Sequence, residues 1–154
     1  QKARPRVLFI SLDGTDTSAH SGRYDNYLRS AHISDEYLKL LWEQLQSMDG
    51  YAGKTTLLIT TDHGRGGAPD GWRGHGEDVA ESGLMWIGAI GPNIAPLGER
   101  TNTATLAQSQ IAATIAALLG FDYQAEVPDA SGAIEQIIET NSGPLASRRA
   151  SGRQ

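Results

Sequence analysis

The run RVLFISL at residues 6–12 limits what this chain can fold into more than any other stretch, because it is continuously apolar and β-rich where a half-exposed strand would alternate. Such a run suits a central strand covered on both faces. Two further strand-sized runs follow at 55–61 (TTLLITT) and 84–90 (LMWIGAI). Between the first two, residues 22–48 place Tyr24, Tyr27, Leu28, Ala31, Leu38, Leu41, Trp42, Leu45 and Met48 at spacings of three and four, the pattern of an amphipathic helix. Residues 105–119 predict an alanine-rich helix capped by Gly120, and 128–140 a short last helix. Buried strands alternating with helices predict an α/β fold, three-layer α/β/α with a mostly parallel sheet. At 154 residues there is material for one core, so residues 1–140 are expected to form a single domain. Residues 141–154, rich in Ser, Gly, Ala and Arg, have no apolar face to bury and are expected to be a disordered tail.

The polar residues that carry chemistry stand at the ends of these runs. Asp62-His63 follows Leu57-Leu58-Ile59, Asp16 and His20 follow the first run, and His75 lies between Gly74 and Gly76 in a loop, 63–83, that holds seven glycines. Loops at the carboxyl ends of strands are where ligands collect in open α/β sheets. A spacing of four puts Asp16 and His20 on one face if the chain is helical there. Each feature alone has a plain structural explanation: an acidic helix start with a surface histidine, a polar turn, a loop histidine. Together they are the donors zinc takes when thiolates are absent, and this chain has no cysteine. Five donors exceed what one tetrahedral zinc needs, which suggests two metals.

In their order and spacing, Asp16-x-x-x-His20, Asp62-His63-Gly64 and His75-Gly76 resemble the motifs of the alkaline phosphatase superfamily of two-metal hydrolases and mutases. That superfamily includes nucleotide pyrophosphatase/phosphodiesterases, cofactor-independent phosphoglycerate mutases and, more distantly, sulfatases. The helix TLAQSQIAATIAALLG extends the resemblance, which spans about residues 6–123. It implies that Asp16, His20 and His75 hold one metal and Asp62 and His63 the other, zinc or, in mutase-like members, manganese. The family completes the second site with an aspartate and a Ser or Thr nucleophile upstream of the Asp-x-x-x-His motif. The resemblance therefore implies the C-terminal part of a catalytic domain, incomplete at its N-terminus, acting on a small phosphate ester, with sulfate or phosphonate esters as further substrates. Asp13 ends a run that also resembles the family's first strand, but the motif follows it too closely.

Arg65, Arg73 and Trp72 flank the motifs, where the arginines are either solvated loop residues or a guanidinium grip for a non-bridging phosphate or sulfate oxygen. Asp35 interrupts the helical stripe and either supports the site from behind or faces solvent, and His32 reads as a surface helix residue. Gly53-Lys54-Thr55 is not a phosphate-binding loop, since it leads from helix to strand and lacks the earlier glycine. His75-Gly76-Glu77 lacks the cysteines of a zinc deaminase, and no Gly-x-Ser-x-Gly elbow occurs. A formal net charge of -5 argues against nucleic acid as a partner. No apolar run approaches membrane-spanning length. Compartment and oligomeric state stay open, an exported location requiring a signal peptide upstream. The alternatives to a hydrolase are a mutase-like phosphotransferase and a non-catalytic metal-binding module.

Overall fold

The computed structural model describes residues 4–101 and 103–139, so the expected tail at 141–154 lies outside the described residues. The chain divides into two compact units, Gln1–Gly88 and Ala89–Gln154.

The first unit begins with helix α1, Gly14–His20, followed by α2, Tyr24–Ser47. Two backbone bonds end α1 and turn the chain, Gly22 to the Ala19 carbonyl at 2.8 Å and Arg23 to the Ser18 carbonyl at 3.0 Å. The helices meet through small residues: Ala19 is fully buried, Ser18 and Ser30 share a hydroxyl contact of 3.3 Å, and a Cβ at Gly14 would stand 3.3 Å from the Ser30 hydroxyl. At the start of α2 the Arg23 guanidinium reaches both Asp25 oxygens, at 3.4 and 3.3 Å, and holds that carboxyl below the usual carboxylate range. The pair is exposed and adds little to stability. Strand β1, Leu57–Thr60, pairs with β2, Ile87–Ile90, at which the unit ends. Between them run two 3-10 turns, Gly71–Arg73 and Ala80–Gly83.

In the second unit, helix α3 spans Gln110–Leu118 and ends as expected at Gly120, whose φ of 82° suits a residue without Cβ. Gly120 donates to the Ala117 carbonyl and Phe121 to the Ala116 carbonyl, both at 2.9 Å, the paired bonds of a Schellman cap. Asp122 caps the next short helix, α4 (Tyr123–Glu126), by accepting from Gln124 and Ala125. The centre of this unit is Thr114, fully buried, whose hydroxyl donates to the Gln110 carbonyl at 2.8 Å and accepts from the Ile134 amide at 2.9 Å. Thr114→Val keeps the shape but orphans the buried Ile134 N–H. It is expected to cost about 1–3 kcal/mol, measured by denaturant unfolding of this unit's signal.

Two expectations differ from the structure. Residues 6–12 carry no strand, and Phe9 is 88% and Leu8 65% exposed. An apolar run records a need for burial, but a strand forms only where a neighbour offers a ladder of hydrogen bonds, and among the described residues none lies alongside. The last helix is a 3-10 turn, Glu135–Ile137, because the adjoining Ile94–Ile138 bridge and the Ala95 to Ile137 backbone bond hold the chain extended. Of the two places open to Asp35, the structure shows the solvent-facing one. Among the described residues no helix is long and apolar enough to cross a membrane.

Candidate metal centre

Helix α1 supplies the first two donors. One helical turn apart, the His20 Nε2 stands 3.4 Å from the Asp16 Oδ1. The second element is the end of β1, where the chain leaves the sheet through Asp62 and sends His63 back toward Asp16, Nε2 to Oδ1 being 3.7 Å. The third is the glycine-rich loop, which brings the His75 Nε2 to 3.4 Å from the same oxygen and 3.1 Å from the His20 Nε2. The His63 and His75 rings stack with centroids 3.7 Å apart and planes 18° from parallel.

Backbone contacts fix the loop. Gly64 donates to the Ser82 carbonyl at 2.8 Å, and a Cβ on Gly64 would land on the Glu81 carbonyl oxygen and 2.6 Å from that of Leu84. Gly66 donates to the Gly74 carbonyl at 3.3 Å and Gly76 to the Ser82 hydroxyl at 3.0 Å. The loop residue that carries His75 is thereby tied at both ends.

These distances suit a cation. Zinc bonds of about 2.1 Å imply a tetrahedral edge of about 3.4 Å between donors. Asp16, His20 and His75 make a triangle with edges of 3.4, 3.4 and 3.1 Å. The donor atoms of Asp16, His63 and His75 also lie within 4.8 Å of one another. Two imidazole nitrogens facing at 3.1 Å either share a proton or face a common cation. The His63 Nδ1 sits 2.8 Å from the Gly64 carbonyl, which can only accept. That contact assigns the ring proton to Nδ1 and leaves the Nε2 lone pair toward the cluster. Donors from the two expected sets lie side by side, with the Asp16 Oδ1 common to both triangles. Asp62 stands at its rim, its side chain 89% exposed and its Oδ2 3.7 Å from the His63 Nε2. Asp13 lies outside the cluster, an exposed residue before α1.

Arg65 and Arg73 part ways. The Arg65 guanidinium, its side chain only 12% exposed, bonds through Nη2 to the Asp16 Oδ1 and through Nη1 to the Trp72 carbonyl at 3.4 Å. It balances the one carboxylate that the three histidines face. A carboxylate accepts at about four lone-pair positions, so this bond does not exhaust Asp16. Arg73 is exposed, pairs with Asp70 at 3.8 Å and lies 5.7 Å above the Trp72 ring.

Beside Arg65 opens a groove of about 670 Å³ lined by Tyr24, Tyr27, Arg65, Gly66, Ala68, Pro69 and Trp72. The tyrosines were legible only as members of the helical stripe. Their signal was position: a pair of tyrosines one turn apart directly after the Asp-x-x-x-His motif, with Trp72 ahead of His75 in the loop.

No family model matches the chain and no solved structure matches it. Two curated proteins are similar to it. GPI ethanolamine phosphate transferase 1 of Emericella nidulans is 25% identical over 135 residues, which takes in 76% of this chain and 14% of that protein. GPI ethanolamine phosphate transferase 1 of Aspergillus oryzae is 26% identical over 135 residues, 76% of this chain and 13% of that protein. The chain thus spans about a seventh of the length of the curated relatives it matches. The likeness supports kinship at the level of the alkaline phosphatase superfamily and no finer division.

Proposed function

We propose that this chain is a metal-binding part of an enzyme of the alkaline phosphatase superfamily that breaks phosphate esters, built on an α/β/α framework with a mostly parallel sheet. The carrying observation is the convergence of Asp16, His20 and His75 at 3.1–3.4 Å, with His63 stacked on His75. The names of the two relatives, both phosphate-group transferases, agree with phosphoryl chemistry.

The roles proposed for the residues follow from their chemistry. Asp16, His20 and His75 would hold one divalent ion, zinc or manganese, and Asp62 and His63 a second. When bound, such ions would supply Lewis-acid polarisation of the ester oxygens and compensate negative charge there. The Gly64 carbonyl keeps the His63 proton on Nδ1, so that His63 presents a lone pair. Arg65 compensates Asp16 and lies between the centre and the groove, where its guanidinium can take a non-bridging phosphate oxygen. We assign the nucleophile to no residue of this chain. Hydrolysis is the first outcome proposed, and transfer to a second alcohol is the other, favoured by the relatives' being named transferases. Sulfate or phosphonate esters are the wider substrate range proposed.

Elemental analysis of the dialysed protein, beside a variant with both His20→Ala and His75→Ala, tests the assignment. The parent should retain zinc or manganese and the variant should lose it. Equal metal content, or none in either, would remove the metal reading.

A further inference from the structure

We propose that Arg65 competes with the divalent ion for Asp16 and, once displaced from it, binds an oxyanion at the mouth of the aromatic groove, a proposal that rests on the metal reading of the centre. Four nitrogens approach one oxygen: the Asp16 Oδ1 has the His20 and His75 Nε2 atoms at 3.4 Å and the His63 Nε2 at 3.7 Å, and it accepts the bond from the Arg65 Nη2. The vertex of both donor triangles is thus an atom that a cationic side chain of this chain already holds. A carboxylate oxygen accepts at about two positions, which leaves room in space but not in charge. A guanidinium cannot give up its proton in a protein, so Arg65 stays positive beside an ion on the same oxygen, and the two repel.

A displaced Arg65 has a place in the groove it already lines. Its other contact is loose, Nη1 to the Trp72 carbonyl at 3.4 Å, longer than an ordinary N–H···O bond. The groove wall is built from rings: Trp72 meets Tyr24 edge to face with centroids 5.1 Å apart, and Tyr27 lies 5.8 Å from Trp72. A guanidinium plane stacks on such faces. The described lining offers Arg65 ring faces and backbone but no carboxylate, so on leaving Asp16 it parts from its counter-charge. Asp62 at the rim, its side chain 89% exposed, offsets only part of the positive charge that a divalent ion adds. Arg65 then presents paired N–H donors to an oxyanion, which restores the balance. Ion and anion each tighten the other by the same factor, as linkage between two sites requires.

Calorimetric titration of zinc into the metal-stripped 154-residue chain tests this, in chloride and in sulfate at equal ionic strength. Breaking a hydrogen bond between charged groups lowers the parent's zinc affinity about 10-fold, so Arg65→Met should bind zinc about 10-fold more tightly in chloride. Arg65→Lys, which keeps the charge, should bind zinc much as the parent does. Sulfate should tighten zinc binding about 5-fold or more in the parent and leave Arg65→Met unchanged. A side chain that merely steadies Asp16 as a ligand predicts the opposite sign, since its loss weakens metal binding about 10–100-fold. Weaker or unchanged zinc binding in Arg65→Met, an Arg65→Lys protein as tight as Arg65→Met, or a sulfate effect that survives in Arg65→Met overturns the proposal and leaves the metal centre standing. No zinc binding in parent or variant removes both. Where Arg65→Met does not fold, NMR of the parent decides. Zinc should move the Arg65 Cδ protons upfield, as for an arm laid on ring faces, and unmoved resonances overturn the proposal.

Discussion

His75→Ala is expected to lower zinc affinity at least about 100-fold, the upper end of what loss of a residue merely supporting a ligand costs, and this should be the largest effect of any single histidine. Three contacts explain the size. Its Nε2 is 3.4 Å from the Asp16 oxygen and 3.1 Å from the His20 nitrogen, and its ring stacks on His63 at 3.7 Å. Removing it opens both donor triangles at once. His20 belongs to one triangle and its side chain is half exposed, so His20→Ala should lose less. Asp62→Ala separates the arrangement of two ions from that of one. If Asp62 and His63 hold an ion of their own, the variant loses about half the bound metal. If all three histidines serve one ion around Asp16, the metal content stays whole. Calorimetric titration with zinc reads both quantities. An unchanged dissociation constant in His75→Ala, with α2 helicity retained in circular dichroism, would remove His75 from the centre.

Much of this was legible in the sequence where the signal is local. The spacing of apolar residues at 22–48 matches α2, Tyr24–Ser47, because helical periodicity is written within a few turns of chain. Gly120 was legible as a cap because its need for a left-handed backbone depends only on its neighbours. Asp16 and His20 share a helix face for the same reason. The strand expected at 6–12 was not obtained, since pairing depends on a partner segment that no local pattern names. Strand 84–90 shortened to Ile87–Ile90 and helix 105–119 to Gln110–Leu118, as paired backbone decides ends that composition does not mark. Motif order brought His63 and His75 to the site's neighbourhood but did not show them stacked. The bond of Arg65 to Asp16, a contact across 49 residues of chain, is marked by no local pattern.

Gly64→Ala should be the most damaging single methyl in the first unit. The added carbon would fall on the Glu81 carbonyl oxygen and 2.6 Å from the Leu84 carbonyl oxygen, both backbone atoms that cannot rotate aside. Relief requires the chain to part from the Ala80–Gly83 turn, which breaks the 2.8 Å bond from the Gly64 amide to the Ser82 carbonyl. Overpacking and a lost backbone bond together predict a cost of about 3 kcal/mol. The displacement reaches the centre in two ways. His63 precedes Gly64 and is oriented by its carbonyl, and Ser82 also anchors the Gly76 amide beside His75. Zinc affinity should therefore fall with stability, although no donor is touched. Gly83→Ala is the control, because nothing lies within 4 Å of the Cβ it would add. It should leave both the melting temperature and zinc binding near those of the parent. A Gly64→Ala protein that melts and binds zinc like the Gly83→Ala control would show that this crossing of loop and turn does not hold the histidines in place.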